Sequence, residues 1–240
     1  MGNRLSWLAN IERAIIGAPY CVLCHETSSS LGLCAGCLND MQILRLDENQ
    51  TCPGCARLSL HGVLCGHCQT HPPPTVALFA SYAYQPPIST LLYAYKHQHQ
   101  AVLTPVIAAL MVEHAPPWLG AEVIDEILVL PMPLSRKRLS MRGFNQSGLL
   151  VDALAKHYCW PVLSPLRIGR IHRAAQSTLK QAERLRNVRG IFKINADVKN
   201  RNVLLIDDVV TTGATIAELA QALKKAGARS VWAWALARPL

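Results

Sequence analysis

The strongest constraint on the fold is an internal repeat of eight cysteines near the start of the 240-residue chain. Each half reads CxxC, nine residues, CxxC, and the second half is the first displaced by 31 residues. Two residues between two cysteines form a tight turn that directs both thiolates at one ion. The repeat therefore predicts a module with two metal sites. Its ligands are Cys21, Cys24, Cys34, Cys37, Cys52, Cys55, Cys65 and Cys68.

This cysteine spacing favours zinc, bound in a structural role. Four thiolates close a tetrahedral shell and leave no position open for a substrate. Residues 21–70 carry few large apolar side chains, so metal binding would supply the missing folding free energy. Two pairings stay open: a sequential one, or a cross-brace that joins the first knuckle with the third. Iron–sulfur clusters, redox pairs and haem attachment fit the repeated pattern less well.

The rest of the chain indicates a larger α/β domain. The run His71-Pro72-Pro73-Pro74 is a stiff linker and a natural domain boundary. We expect a helical segment over residues 1–20, a double zinc ribbon over 21–70 and the larger domain over 75–240. Apolar runs at 126–132, 203–206 and 230–237 alternate with helical stretches, which predicts a parallel sheet. Residues 164–190 are basic and polar, with no clear strand.

The sequence argues against a membrane protein and against a secreted one. No apolar run approaches the roughly 18 to 20 residues that a membrane helix needs, so we expect no membrane span. Glu12 and Arg13 interrupt the apolar core that a signal peptide would require. We therefore expect a protein of the reducing cytoplasm, whose cysteines serve as metal ligands rather than in disulfides.

Positive charge is concentrated in the middle of the chain. The formal net charge is +9, and residues 131–201 hold 15 Lys+Arg against 3 Asp+Glu. Residues 1–70 hold 4 against 5, so the cysteine-rich region is nearly neutral. Such a basic surface favours anionic partners, either nucleic acid or phosphates.

An acidic turn follows the apolar run at 203–206 and leads directly into a helix. Backbone N–H groups and the helix dipole at such a turn favour a phosphate, and Gly213 permits close approach of a ligand. Two adjacent acids suit the vicinal hydroxyls of a ribose, and we expect both at an exposed strand end. The candidate binding residues are Asp207, Asp208, Thr211, Thr212, Gly213, Ala214 and Thr215.

The segment VLLIDDVVTTGAT resembles the signature of type I phosphoribosyltransferases, which bind 5-phosphoribosyl 1-diphosphate (PRPP). The stretch from Pro131 through Arg142-Gly143-Phe144-Asn145-Gln146 is similar to a segment of the ComF family. A cysteine-rich region before a transferase-like domain is that family's architecture. The resemblance extends to its GntX-type members, associated with DNA utilisation and, earlier, with gluconate metabolism.

This resemblance implies a type I phosphoribosyltransferase-like parallel sheet with helices, and a role for each motif. Asp207 and Asp208 would bind the ribose hydroxyls, and the turn at 211–215 would bind the 5-phosphate. Mg²⁺ would be held by pyrophosphate and ribose oxygens. Candidates for contact with pyrophosphate or substrate are Arg142, Asn145, Gln146 and Lys96. The RGFNQ stretch has a second interpretation as the cap of the next helix, because Asn is a good cap.

The basic segment at 167–190 has three interpretations. It could close over the substrate, as in related transferases, meet a nucleic-acid backbone, or form a solvated helix face. The candidates are Arg170, Arg173, Arg184 and Arg186. Two functions follow: a PRPP-binding phosphoribosyltransferase that supports DNA uptake or utilisation, or a non-catalytic module that handles single-stranded DNA with DNA-processing proteins. No catalytic residue can be named from the sequence.

Overall fold

The computed structural model describes residues 20–28, 32–120, 127–171 and 189–240. The helix predicted within residues 1–20 lies outside the described residues, apart from position 20. The described strands are β1 (Leu78–Ala83), β2 (Ile127–Pro131), β3 (Ile168–Arg170), β4 (Phe192–Ile194), β5 (Asn202–Val209) and β6 (Ser230–Arg238). The described α-helices are α1 (Ala35–Ile43), α2 (Gly66–Thr70), α3 (Ile88–His97), α4 (Thr104–Glu113), α5 (Arg136–Arg142), α6 (Gln146–Tyr158) and α7 (Ala214–Lys225).

The centre of the larger domain is a four-stranded parallel sheet. Its strand order is β1-β6-β5-β2, so β5 lies between β6 and β2. The register sets Ile206 of β5 beside Pro131 on one side and Trp234 on the other. The apolar runs predicted as strands are β2, β5 and β6, which confirms the predicted parallel α/β architecture.

Apolar side chains cover both faces of this sheet. On one face Trp234 packs in a core with Leu92 of α3, Leu110 of α4 and Leu150 of α6. On the other face Leu219 of α7 belongs to a second core. A parallel sheet covered on both faces is built from uninterrupted apolar strands. This is why β5 begins as a continuous apolar run in the sequence.

The cysteine-rich region covers the free edge of β1. The Leu46 N–H donates to the Ser81 carbonyl at 3.0 Å, and the Ala83 N–H donates to the Leu44 carbonyl at 2.8 Å. An unpaired strand edge is a template for aggregation, and natural proteins cover it. The N-terminal region therefore completes the hydrogen bonding of the sheet rather than standing apart from it.

A second, two-stranded sheet lies within the basic part of the chain. Strands β3 and β4 pair antiparallel, with Ile168 opposite Ile194 and Arg170 opposite Phe192. The expectation of no strand over 164–190 is therefore wrong at β3. A strand of three residues around Gly169 is too short to show an alternating pattern. Its pairing partner, β4, lies more than twenty residues away along the chain.

Candidate functional site

Two adjacent acids lie at the carboxyl end of β5, in the interior of the sheet. Strand β5 continues through Val209, so Asp207 and Asp208 belong to the strand and not to the turn after it. Asp208 is only 5% exposed and Asp207 is half-buried, so the expectation of an exposed strand end is wrong. Open α/β sheets bind ligands at the carboxyl ends of their strands, and the acids stand at this edge.

Two neighbouring helices each send one polar group to the acid pair. Lys96 of α3 forms an ion pair with Asp208, with 2.9 Å between Nζ and Oδ1. The Ser147 hydroxyl of α6 donates to Asp207 Oδ1 at 3.1 Å. The structure thus brings Lys96, a candidate from the resemblance, into direct contact with the predicted ribose-binding acids.

The protonation of Asp207 is set by its surroundings. Burial raises the pKa of Asp207 to about 7, and the charge of Asp208 acts in the same direction. The charge of Lys96, the Asp208 N–H and the Ser147 hydroxyl oppose this rise of the pKa. Near neutral pH this carboxyl is therefore poised between its two forms, and can either accept a hydrogen bond or donate one.

We predict that Asp207 makes the unfolding free energy depend on pH. Between the unfolded pKa, about 3.9, and the folded value of about 7, the folded protein holds a proton that the unfolded chain releases. Its contribution to stability therefore falls as pH rises through this window, by at most about 1.4 kcal/mol per pH unit. Urea unfolding of wild type and D207N from pH 5.5 to 8 measures the difference, and parallel curves would contradict the assignment.

The turn after β5 presents backbone N–H groups at the start of α7. Gly213 has a φ of 78°, a left-handed conformation that glycine adopts without strain. The Ala214 N–H donates to Thr212 Oγ1 at 3.3 Å. Thr211 is exposed and Thr215 is half-buried. Free N–H groups and the helix dipole at such a terminus attract an anion.

The connection between β2 and α6 lies at the same edge of the sheet. Asn145 Nδ2 donates to the Met132 carbonyl at 3.2 Å, and Asn145 makes no side-chain cap bond although it precedes α6. Its side chain therefore ties the connection to β2 instead of capping the helix. Arg142 Nη1 donates to Gln146 Oε1 at 3.2 Å. Among the described residues, buried Asn145 Oδ1 and Gln146 Nε2 lack hydrogen-bond partners, so both atoms keep an unmet capacity for hydrogen bonding.

Three half-buried arginines, Arg138, Arg142 and Arg170, interact at this edge. Burial lowers the pKa of Arg138 and the charge of Arg142 lowers it further. Burial also lowers the pKa of Arg170 to about 10, with Arg138 acting in the same direction and Asp207 opposing. In the described part of the chain none of the three forms an ion pair with a carboxylate. Like charges held together in this way suit a ligand with several negative charges.

The structure changes the interpretation of the basic segment. Arg170, predicted as a lid or nucleic-acid contact, donates to the Pro133 carbonyl beside β2, so it stands in the wall of the candidate site. Arg173, Arg184 and Arg186 lie outside the described residues. The structure therefore places one member of this candidate set and leaves the other three as predictions.

The eight cysteines form two separate groups with the sequential pairing. In each group the sulfur atoms all lie within 4.8 Å of one another. Cys24 Sγ is 3.5 Å from Cys34 Sγ, and Cys55 Sγ is 3.7 Å from Cys65 Sγ. Tetrahedral bonds of about 2.3 Å place sulfur atoms about 3.8 Å apart. Both groups thus fit a four-coordinate zinc ion, and the cross-brace does not describe this structure.

Each group holds a thiol that ionises readily. Burial raises the pKa of Cys21, but the N–H groups of Cys24 and Cys34 outweigh it and bring the pKa to about 6. Burial likewise raises the pKa of Cys65, while the Cys68 N–H and neighbouring thiols lower it to about 7. The thiolate is the form that binds metal, and the knuckle N–H groups favour it for one thiol in each group, whereas burial raises the pKa of Cys37 and Cys68.

Comparison with known proteins decides the family. Residues 166–239 match the model of the phosphoribosyl transferase domain. The chain is 34% identical over 215 residues to the DNA utilization protein YhgH of Shigella flexneri, covering 87% of this chain and 91% of that protein. It is 30% identical over 215 residues to competence protein F of Haemophilus influenzae, covering 86% and 90%. The chain belongs to the ComF family.

The site of this ComF-family protein extends beyond the matched domain. Residues 166–239 contain β3 to β6, and thus the acid pair and the turn, whereas Lys96 and Arg142 reach the site from earlier elements.

A hypoxanthine phosphoribosyltransferase of Staphylococcus aureus aligns with a TM-score of 0.31 at 18% identity, over 55% of this chain and 62% of that chain. None of the described helices is long and apolar enough to span a bilayer.

Proposed function

We propose that this protein binds PRPP at the carboxyl edge of its sheet and transfers the phosphoribosyl group. One arrangement carries the proposal: an acid pair, a helix N-terminus and three arginines without carboxylate partners in the described chain meet at one edge. PRPP offers a pair of vicinal hydroxyls, a 5-phosphate and a pyrophosphate. The three features of the site correspond to these three parts of the ligand.

Each part of PRPP has its own set of residues in this proposal. Asp207 and Asp208 bind the ribose hydroxyls, and the turn from Thr211 to Thr215 binds the 5-phosphate. The arginines at 138, 142 and 170 bind the pyrophosphate, whose charge offsets their mutual repulsion.

A divalent cation fits this ligand set. Mg²⁺ prefers oxygen ligands and keeps several of its waters, so it is usually held by one or two carboxylates and substrate phosphates. Asp207 and Asp208 supply carboxylate oxygens beside the proposed pyrophosphate position. When bound, the ion would neutralise part of the charge on the pyrophosphate.

The transfer itself needs positioning and charge stabilisation. A lone pair of the acceptor forms the new bond to C1 of the ribose while the bond from C1 to the pyrophosphate oxygen breaks. The electron pair of that bond leaves with pyrophosphate, and the proton of the acceptor passes to solvent. Arg142 and Arg170 stabilise the negative charge that accumulates on the leaving group, in a fixed position and partly shielded from water.

Turnover of PRPP tests this proposal. The purified protein is incubated with PRPP and Mg²⁺ against a panel of nucleobases and other nitrogen acceptors, with pyrophosphate release as the readout. We expect release with at least one acceptor, and none after replacement of the acid pair. Binding of PRPP without release for any acceptor would retain the site and remove the transferase activity.

We propose that both cysteine groups hold structural zinc. The sulfur distances and the grouping of four cysteine sulfur atoms at each site support four-thiolate coordination. Each site is closed, so the ion would stabilise the ribbon rather than take part in transfer.

A role in DNA handling is the second candidate function. The names of the relatives point to DNA utilisation and competence. The specific observation is that Arg136, Lys137, Arg167 and Arg189 are all exposed and belong to the segment that holds 15 Lys+Arg against 3 Asp+Glu; we propose that they form one basic surface. Phosphate contacts from such a surface would give strong salt dependence and weak sequence preference. We propose single-stranded DNA as its ligand.

Charge reversal separates this surface from the PRPP site. The variant R136E/K137E/R167E/R189E changes exposed residues only, so the fold and PRPP binding should persist. We expect weaker DNA binding and a salt dependence shallower by about three in log–log slope, since each lost phosphate contact on a single strand removes about 0.7. Fluorescence anisotropy over a salt series measures both quantities.

A matched control for this variant is available at the other end of the sheet. The fourfold variant K199E/K224E/K225E/R229E makes the same change in charge, again at exposed positions. Residues 224 and 225 end α7, and residues 199 and 229 precede β5 and β6. Equal losses of DNA affinity in the two variants would show that only net charge matters, and would overturn the assignment of the surface.

A further inference from the structure

A small cavity lies between the cysteine-rich region and the larger domain, with a volume of about 230 Å³. Its lining includes Glu48, Asn49 and His61 from the cysteine-rich region, and Phe79 of β1 and Trp118 from the larger domain. Pockets for drug-sized ligands measure about 300–1,000 Å³, so this cavity suits a molecule smaller than a nucleotide. None of its described lining residues belongs to the proposed PRPP site.

Two aromatic rings of the lining are held in place by their neighbours. Trp118 packs against Trp232 with 4.9 Å between the ring centroids, and Trp232 Nε1–H donates to Ser230 Oγ at 3.1 Å. Phe79 is buried and meets the His114 ring edge-on, with 5.5 Å between the centroids. Rings fixed in this way offer preformed flat faces, on which a planar ligand can stack at little cost in side-chain ordering.

The polar part of the lining is fixed by the backbone around it. The Asp47 carboxylate accepts from the backbone N–H of Asn49 at 2.8 Å and from Asn49 Nδ2 at 3.1 Å, which sets the direction of this amide. Gly62 has a φ of 64°, and a Cβ there would lie 2.5 Å from the Glu48 carbonyl oxygen. Only glycine fits this contact, so residues 48–49 and the turn at 61–62 form one packed rim.

The charge of the lining disfavours a phosphate. The described lining residues include neither lysine nor arginine, and Glu48 is the one carboxylate among them. A nucleotide would therefore bring its phosphate to a carboxylate without a cation nearby. A carboxylate and a primary amide instead suit a ring with an amino group, since acidic side chains accept from exocyclic amino groups and Asn pairs with N6 and N7 of adenine.

The cysteine repeat shows that these polar side chains are not needed for a four-cysteine group. The polar residues at 48, 49 and 61 correspond, 31 residues earlier, to Gly17, Ala18 and Ser30. The first group brings its four sulfur atoms together without a carboxylate, amide or imidazole at those positions. The second half of the repeat therefore carries donors and acceptors that the cysteine grouping does not require.

We propose that this cavity binds a free purine base that carries an amino group, with adenine as the simplest case. The ring stacks on Trp118, its N6 amino group donates to the Glu48 carboxylate, and the Asn49 side chain pairs with N6 and N7. The site is independent of the proposed PRPP site, because the acid pair lies on β5, two strands away from β1 in the sheet.

Calorimetric titration of the purified full chain with adenine tests the inference. We expect saturable binding of one adenine per chain, weakened at least about tenfold in E48Q, as for the loss of a hydrogen bond to a charged group. E26Q makes the same change at an exposed glutamate of the first cysteine region and should bind adenine like wild type. Hypoxanthine, which has an oxygen in place of the amino group, should bind wild type at least tenfold more weakly than adenine does.

Two further variants locate the bound base. W118L removes the stacking ring and should weaken adenine binding at least tenfold, whereas D207N/D208N should bind adenine like wild type. Adenine binding that is lost in D207N/D208N but kept in W118L would place the base at the PRPP site and overturn the inference. E48Q changes an exposed side chain, so it decides the question even where W118L does not fold.

The result for wild type separates this inference from the proposed function. No binding of adenine at millimolar concentration would overturn the cavity as a base site and leave PRPP binding unaffected. Equal affinity of wild type and E48Q for adenine would likewise overturn the assignment. Binding of adenine without binding of PRPP would retain the cavity site and remove the proposed function.

Discussion

Replacing Asp207 and Asp208 together by asparagine is expected to abolish PRPP binding, with a loss of affinity of at least 100-fold. Asparagine keeps the size of each side chain but removes both carboxyl groups, which in this proposal accept hydrogen bonds from the ribose hydroxyls and offer oxygen ligands to a divalent cation. Each hydrogen bond to a charged group contributes about 1.5–3 kcal/mol, so two lost carboxylates account for this magnitude. Isothermal titration calorimetry with PRPP and Mg²⁺ measures the affinity.

A matched variant and a single variant control this experiment. D152N/D197N removes two exposed acids elsewhere in the protein and should bind PRPP like wild type. Because Asp208 pairs with Lys96, the double variant leaves that lysine without its partner. D207N keeps the ion pair and should still lose affinity at least tenfold. Wild-type affinity in D207N/D208N would remove the acids from the site.

Removal of zinc is expected to have the largest effect on stability. Apparent zinc-binding free energies in zinc-finger peptides are about 10–16 kcal/mol, comparable with the whole stability of a domain. Without the ions, residues 20–71 should unfold and release the edge of β1, which they cover through bonds such as Leu78 N–H to the Pro53 carbonyl at 2.8 Å. Aggregation through this exposed edge should follow.

Elemental analysis of the zinc content and light scattering from aggregates test this prediction. We expect two zinc ions per chain, aggregation on chelation, and protection when zinc but not magnesium is present in excess. C21S should lose one ion and stability, whereas C159S, which changes the one cysteine outside the two groups, should retain both. Less than one zinc per chain in freshly purified protein would contradict the two-site proposal.

The strands of the central sheet could be predicted because they are buried on both faces. β5 begins with the apolar run at 203–206 and β6 is apolar over 231–237, a pattern that a covered parallel strand produces. Strand β3 and helix α5 were missed for a different reason. Both are short and polar: β3 depends on pairing with β4, and α5 on a cap in which Ser135 accepts from the Arg138 N–H. The pairing of β3 is a tertiary contact that local patterns do not report, and the 7 residues of α5 are too few to show a helical period.

The residues of the candidate site also divide into those that the sequence predicted and those that it did not. The acid pair and the turn are contiguous in sequence, so their motif predicted them. Arg138 was not predicted, although its spacing from Arg142 by four residues on a short helix could have indicated a shared face. The burial of Asp208 and its contact with Lys96 depend on a helix more than 100 residues earlier, which one sequence does not place.

Titration of wild-type protein with PRPP tests the central claim most directly. The zinc-loaded protein is titrated in a calorimeter in the presence of Mg²⁺, and its melting temperature is followed in parallel. We predict saturable binding of one PRPP per chain, competition by pyrophosphate, and a stabilisation of about 2.7 kcal/mol when PRPP is present at 100 times its dissociation constant. No heat of binding and an unchanged melting temperature at millimolar PRPP would contradict the account.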